Sequence, residues 1–148
     1  MTRASSMRWL SLLCRVGVGG VFIYAAIDKL LHPGAFATAI SHYRLVPYAL
    51  LHVSAMLLPV VEAVAGLALV IGWQRRGAAL ICGVLLVVFL AAIASALSRG
   101  LDISCGCFNT DGGHAVGVGL LWRDLLLLLA CLPPLLARHG GWGLDRDR

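Results

Sequence analysis

Four long apolar runs, at residues 10–31, 50–72, 77–97 and 115–137, take up most of this 148-residue chain. Each is about 20 residues or more, the length a helix needs to cross a hydrocarbon core of about 30 Å. The composition agrees: 60% of residues are hydrophobic, 13% are charged and the mean hydropathy is +0.91, whereas a soluble domain carries about 25% charged residues. The expected fold is all-α, a polytopic membrane protein whose residues 1–148 form a single four-transmembrane-helix domain. The first run could in principle be a secretory signal, since Arg3 and Arg8 precede it. It is long for that role, however, and ends in Asp28-Lys29 without a small-residue cleavage site, so a retained helix is expected.

Charge orients the four spans. One side of the membrane would hold Arg3, Arg8, Arg75, Arg76, Arg138, Arg146 and Arg148; the other would hold Lys29, Arg44 and Arg99, offset by Asp28, Asp102 and Asp111. The excess of arginine belongs in the cytoplasm. That puts the protein in the inner (cytoplasmic) membrane with both ends inside and the loop between the third and fourth spans outside. The net charge of +5 then reads as topology, and a nucleic-acid partner is not called for.

The outward loop carries Cys105-Gly106-Cys107-Phe108. A disulfide between residues two apart closes a very small ring, too small to stabilise a fold through loop closure. Ring strain makes such a bond more reducible than a structural disulfide, and Gly106 eases the turn. An exchangeable pair is the natural use of this spacing, with Cys105 and Cys107 as the catalytic residues. Arg99, His114 and the start of the fourth helix near Ala115 would favour a thiolate if the loop folds back. The remaining cysteines, Cys14, Cys82 and Cys131, lie in apolar runs and read as small hydrophobes. Metal binding is the rival chemistry: the pair suits a soft ion such as monovalent copper, with His114 as a third ligand. A structural zinc site wants four ligands, usually from two separated pairs, so no metal site is assigned.

The connections give further detail. His32-Pro33-Gly34 is followed by Phe36, Ile40 and Tyr43 at helical spacing and then Pro47, which predicts a short amphipathic helix at the outer interface. Trp73-Gln74-Arg75-Arg76-Gly77 is a tight inner turn between antiparallel helices.

Ionisable groups inside the spans (Arg15, Asp28, Lys29, Glu62, Arg123 and Asp124) cost several kcal/mol each unless paired or wet. Asp28 and Lys29, near the outer end of the first helix, are expected to snorkel to the interface. Glu62 is expected to face the bundle interior, with Arg123 or Arg15 as its partner. Glu62 and Arg123 are the candidate polar pocket, either as interhelical glue or as a cavity taking a quinone head group or a proton path. No residue pattern identifies quinone, and no cofactor is certain.

Several of these residues together resemble a known family. The run Tyr24, Lys29-Leu30, Pro33, Phe36, Tyr43, Leu45-Val46-Pro47 is similar to the start of the methylamine-utilisation MauE family. So are Leu58-Pro59 with Glu62 and Gly66, Cys105-Gly106-Cys107-Phe108, and Trp122-Arg123. Asn109 stands where the family pattern carries glycine, and asparagine also tolerates left-handed backbone angles. The resemblance implies a DoxX-like four-helix membrane protein. It also implies a role in forming disulfides in, or exporting, the disulfide-rich small subunit of methylamine dehydrogenase, with a thioredoxin-like or disulfide-rich client outside the membrane. Two functions therefore stand: a membrane thiol–disulfide oxidoreductase or electron-relay component, and a non-catalytic assembly factor or soft-metal carrier that docks through Cys105 and Cys107.

Overall fold

The computed structural model describes residues 3–100 and 118–136. In lipid every backbone polar group must be satisfied by the protein itself, and apolar runs of about 20 residues do so as helices. In chain order they are α1 (Arg3–Leu31), α2 (Pro33–Tyr43), α3 (Tyr48–Ile71), α4 (Arg75–Ser98), α5 (Val118–Ala130) and α6 (Leu132–Leu136). Four stretches are long and apolar enough to cross a membrane: Ser6–Leu31, Tyr48–Ile71, Arg75–Ser98 and Gly119–Leu136. The protein is a multi-pass membrane protein.

Large apolar side chains such as Leu13, Met56, Leu57 and Leu126 point outward, each 60% or more exposed, as a lipid-facing surface requires. The interior is built from smaller groups, Val18, Ala65, Ala78, Ala79 and Cys82, with Phe22, Leu69 and Leu86 filling between them. Small residues let helices approach closely where lipid is as apolar as the core and burial alone drives nothing together. Gly19 and Gly66 take this to its limit. A Cβ on Gly19 would lie 2.7 Å from the Gly66 carbonyl oxygen, and one on Gly66 would lie 2.9 Å from that of Gly19. The two backbones touch there, and α1 and α3 cross at that point.

The expected amphipathic segment is α2. Pro33 occupies its first turn, where the missing N–H costs nothing, and Phe36, Ala39 and Tyr43 are buried while Arg44 ends it in a left-handed conformation. At the opposite end of the bundle, Gly72 (φ 80°) closes α3, and its N–H and that of Trp73 bond to the Ala68 carbonyl. The tight turn then enters α4 at Arg75.

The fourth span is divided, which its apolar composition does not foretell. Pro133 and Pro134 supply no N–H, so the carbonyls of Leu129 and Ala130 lose their usual helical partners. Cys131 marks the break: its N–H is shared between Leu127 and Leu128 at 3.1 Å each, and Leu135 resumes the ladder to Cys131 at 3.3 Å. Pro59, by contrast, is carried inside an unbroken α3.

Candidate functional site in the bundle interior

Cys105 and Cys107 lie outside the described residues, as does His114. Within them the candidate site is the set of buried charges, and here the structure corrects the sequence. Glu62 faces the interior and is 1% exposed, as expected. Its partner is neither Arg123 nor Arg15. Lys29 donates to both carboxylate oxygens, at 2.7 and 2.8 Å, and is itself 1% exposed.

Helix direction explains why Lys29 does not snorkel. Every Cα–Cβ bond leans toward its own helix N-terminus. Lys29 sits near the C-terminal end of α1 and therefore leans back into the bundle, while Glu62 on the antiparallel α3 leans up to meet it. From the Gly19–Gly66 crossing, Lys29 is roughly 15 Å along α1 and Glu62 roughly 6 Å back along α3 at 1.5 Å per residue. Two inclined side chains span the remaining offset of about 9 Å. The Lys29 ammonium also lies over two aromatic faces, 5.0 Å from the ring centre of Phe36 on α2 and 4.9 Å from that of Phe89 on α4. Each is within cation–π range. One lysine thereby joins four helices.

Arg15, 2% exposed, has a different task. Its Nε donates to the Leu69 carbonyl at 3.0 Å and its Nη2 to that of Val70 at 3.3 Å. These are carbonyls of the last turn of α3, which have no partner within the helix. Arg123 donates from Nε and Nη2 to Oδ1 of its neighbour Asp124, at 3.0 and 2.8 Å. Asp124 is 1% exposed; the sequence marks it as an ionisable group within a span but assigns it no role. Arg99 ties α4 to α2: its Nη2 donates to the Tyr43 carbonyl at 2.6 Å and its Nε to that of Ser95 at 3.1 Å.

Lys29, Glu62 and Asp124 line one cavity of about 20 Å³ together with Phe22, Leu86 and Phe89. Asp124, and not Arg123, shares this cavity with Glu62. The cavity's volume is about that of a single water, which needs about 10–15 Å³.

Comparison with known proteins agrees with this architecture. The family model for the methylamine utilisation protein MauE matches residues 7–137, which take in nearly all of the four spans, the Lys29–Glu62 and Arg123–Asp124 pairs and the Cys105-Gly106-Cys107 loop. Methylamine utilization protein MauE of Paracoccus denitrificans is 35% identical over 119 residues, covering 80% of this chain and 64% of the relative. The chain therefore spans somewhat under two thirds of that relative's length. No solved structure matches. With its four spans and a match along nearly the whole chain, this multi-pass membrane protein belongs to the MauE family.

Proposed function

We propose that this protein serves methylamine utilisation as a thiol–disulfide redox component of the inner membrane, using Cys105 and Cys107 to form disulfides in an exported client. The small subunit of methylamine dehydrogenase, rich in disulfides, is the client the family reading favours. The observation that carries the proposal is the Cys105-Gly106-Cys107 spacing, between the third and fourth spans of a MauE-family chain. A bond across so small a ring is strained and hence oxidising.

In the exchange, a client thiolate attacks one sulfur of the Cys105–Cys107 disulfide, forming a mixed disulfide and releasing the other cysteine as a thiolate. A second client thiolate then displaces the first cysteine, which leaves the client oxidised and the pair reduced. Reoxidation of the pair releases two electrons and two protons, the electrons passing to a lipid-soluble two-electron acceptor of the quinone class.

Orientation follows from charge. Arg15 on α1 bonds to carbonyls at the C-terminal end of α3, so the start of α1 and the α3–α4 turn lie at the same end of the bundle. Arg8, Arg75 and Arg76 gather there, which supports a cytoplasmic assignment for that end. The cysteine loop then faces the periplasm, where disulfides persist. Trapping of a mixed disulfide by single serine variants of the pair tests the proposal. A Cys105/Cys107 double serine variant with full activity would replace it with a non-catalytic assembly role.

A further inference from the structure

The end of the bundle that holds the start of α1 and the α3–α4 turn presents a surface that the thiol chemistry does not use. Ser11 and Arg15 are buried on α1, and Arg15 bonds to the last turn of α3. Arg8 continues the same stripe, three and seven residues before them, which is the spacing of one helix face. It is nevertheless exposed. Arg8 lies about 10 Å beyond Arg15 along α1 at 1.5 Å per residue, whereas α3 ends at Ile71, one residue past Val70. It therefore overhangs the α3–α4 turn, where Arg75 and Arg76 open α4.

Both α1 and α4 begin at this end, and Cα–Cβ bonds lean toward a helix N-terminus. Arg8, Arg75 and Arg76 thus all lean out of the hydrocarbon toward the headgroup layer, which exposed Trp9 and Trp73 mark. The charge there is one-sided. Among the described residues the acidic ones, Asp28, Glu62 and Asp124, lie with Lys29 toward the other end of the bundle. The first turn of α4 has no acidic residue and no side-chain cap, so two arginines stand at the positive end of its dipole, an arrangement that favours an anion. Arg75 and Arg76 engage other groups of the protein, but a guanidinium has five N–H donors and keeps its charge. We propose that Arg8, Arg75 and Arg76 bind the phosphate of one anionic phospholipid, whose headgroup bridges the start of α1 and the α3–α4 turn. A zwitterionic headgroup brings its own cation and gains less from this patch. Inorganic phosphate offers the same oxygens without acyl chains to lie against exposed Leu10, Ile71 and Leu80.

The test is thermal denaturation of the purified protein in detergent micelles, titrated with phosphatidylglycerol, phosphatidylcholine or inorganic phosphate. Phosphatidylglycerol should raise the melting temperature at low mole fraction and the other two should not. High salt should weaken the response of the unaltered protein, a result that depends on no variant. Arg8→Gln and Arg76→Gln change exposed positions, and each should weaken the apparent affinity for phosphatidylglycerol about fivefold. Arg44→Asn removes an exposed cation beside Tyr43, whose carbonyl is bonded by Arg99 at the far end of α4, and should leave the affinity unchanged. Equal stabilisation by phosphatidylcholine or by inorganic phosphate would overturn the proposal. So would a loss in Arg44→Asn as large as that in Arg8→Gln.

Discussion

Lys29 and Glu62 meet in a two-pronged ion pair, 2.7 and 2.8 Å between ammonium and carboxylate oxygens, with each side chain 1% exposed. Removing one partner leaves the other charge buried and uncompensated, which costs about 3–5 kcal/mol; replacing both with apolar groups of similar volume is close to neutral. Lys29→Met and Glu62→Leu should each destabilise the protein strongly, and the double variant should recover most of the loss. Thermal denaturation in detergent checks this, with additivity of the two single losses as the contrary result. Charge reversal between Glu62 and Arg123 should give no recovery, because those residues are not each other's partner.

The Gly19–Gly66 crossing gives a contrast within one helix. Gly19→Ala would push a methyl group to 2.7 Å from a backbone oxygen that cannot move alone, whereas a methyl group on Gly17 or Gly20 would meet nothing within 4 Å. Gly19→Ala should therefore cost about 1–3 kcal/mol, as overpacking does. Gly17→Ala and Gly20→Ala should be neutral or stabilising by up to about 1 kcal/mol through helix propensity. Thermal denaturation of the three variants compares them, and equal losses at all three positions would mean that α1 and α3 do not cross at Gly19.

Arg15 bonds to two carbonyls at the end of α3 from a buried position on α1. Arg15→Met keeps the apolar stem and removes the donors, so it should cost about 1–3 kcal/mol for the carbonyls left unsatisfied. Protease access to the α3–α4 turn, compared with wild type, reads out the loosened helix end.

The orientation can be checked on intact cells. A membrane-impermeant thiol reagent should label reduced Cys105 and Cys107 without permeabilisation. Labelling that requires permeabilised cells would reverse the topology and place the pair on the reducing side.

The four spans are legible in the sequence because length and hydropathy alone decide them, and α2 because Phe36, Ile40 and Tyr43 recur at helical spacing between prolines. Glu62 stands out as a carboxylate within an apolar run. Its partner does not, since the choice depends on which way side chains lean. Lys29 reads as an interfacial residue from its place near a helix end, yet its Cβ direction carries it inward. The role of Asp124 is hidden for a related reason: residues adjacent on a helix do not normally face each other, so the Arg123–Asp124 contact has no pattern to announce it. The break at Cys131 is written in Pro133-Pro134, masked by an otherwise continuous apolar run. The cysteine chemistry rests on spacing and strain alone.

That chemistry is tested most directly by complementation with the five single cysteine-to-serine variants and the Cys105/Cys107 double variant, following the redox state of the pair by alkylation shift. Serine at Cys105 or at Cys107 should abolish activity and trap a mixed disulfide with the client through the remaining thiol. Serine at Cys14, Cys82 or Cys131, each a free thiol within a span, should leave activity intact. Full activity in the double variant, or a pair that stays reduced throughout, would contradict a redox role.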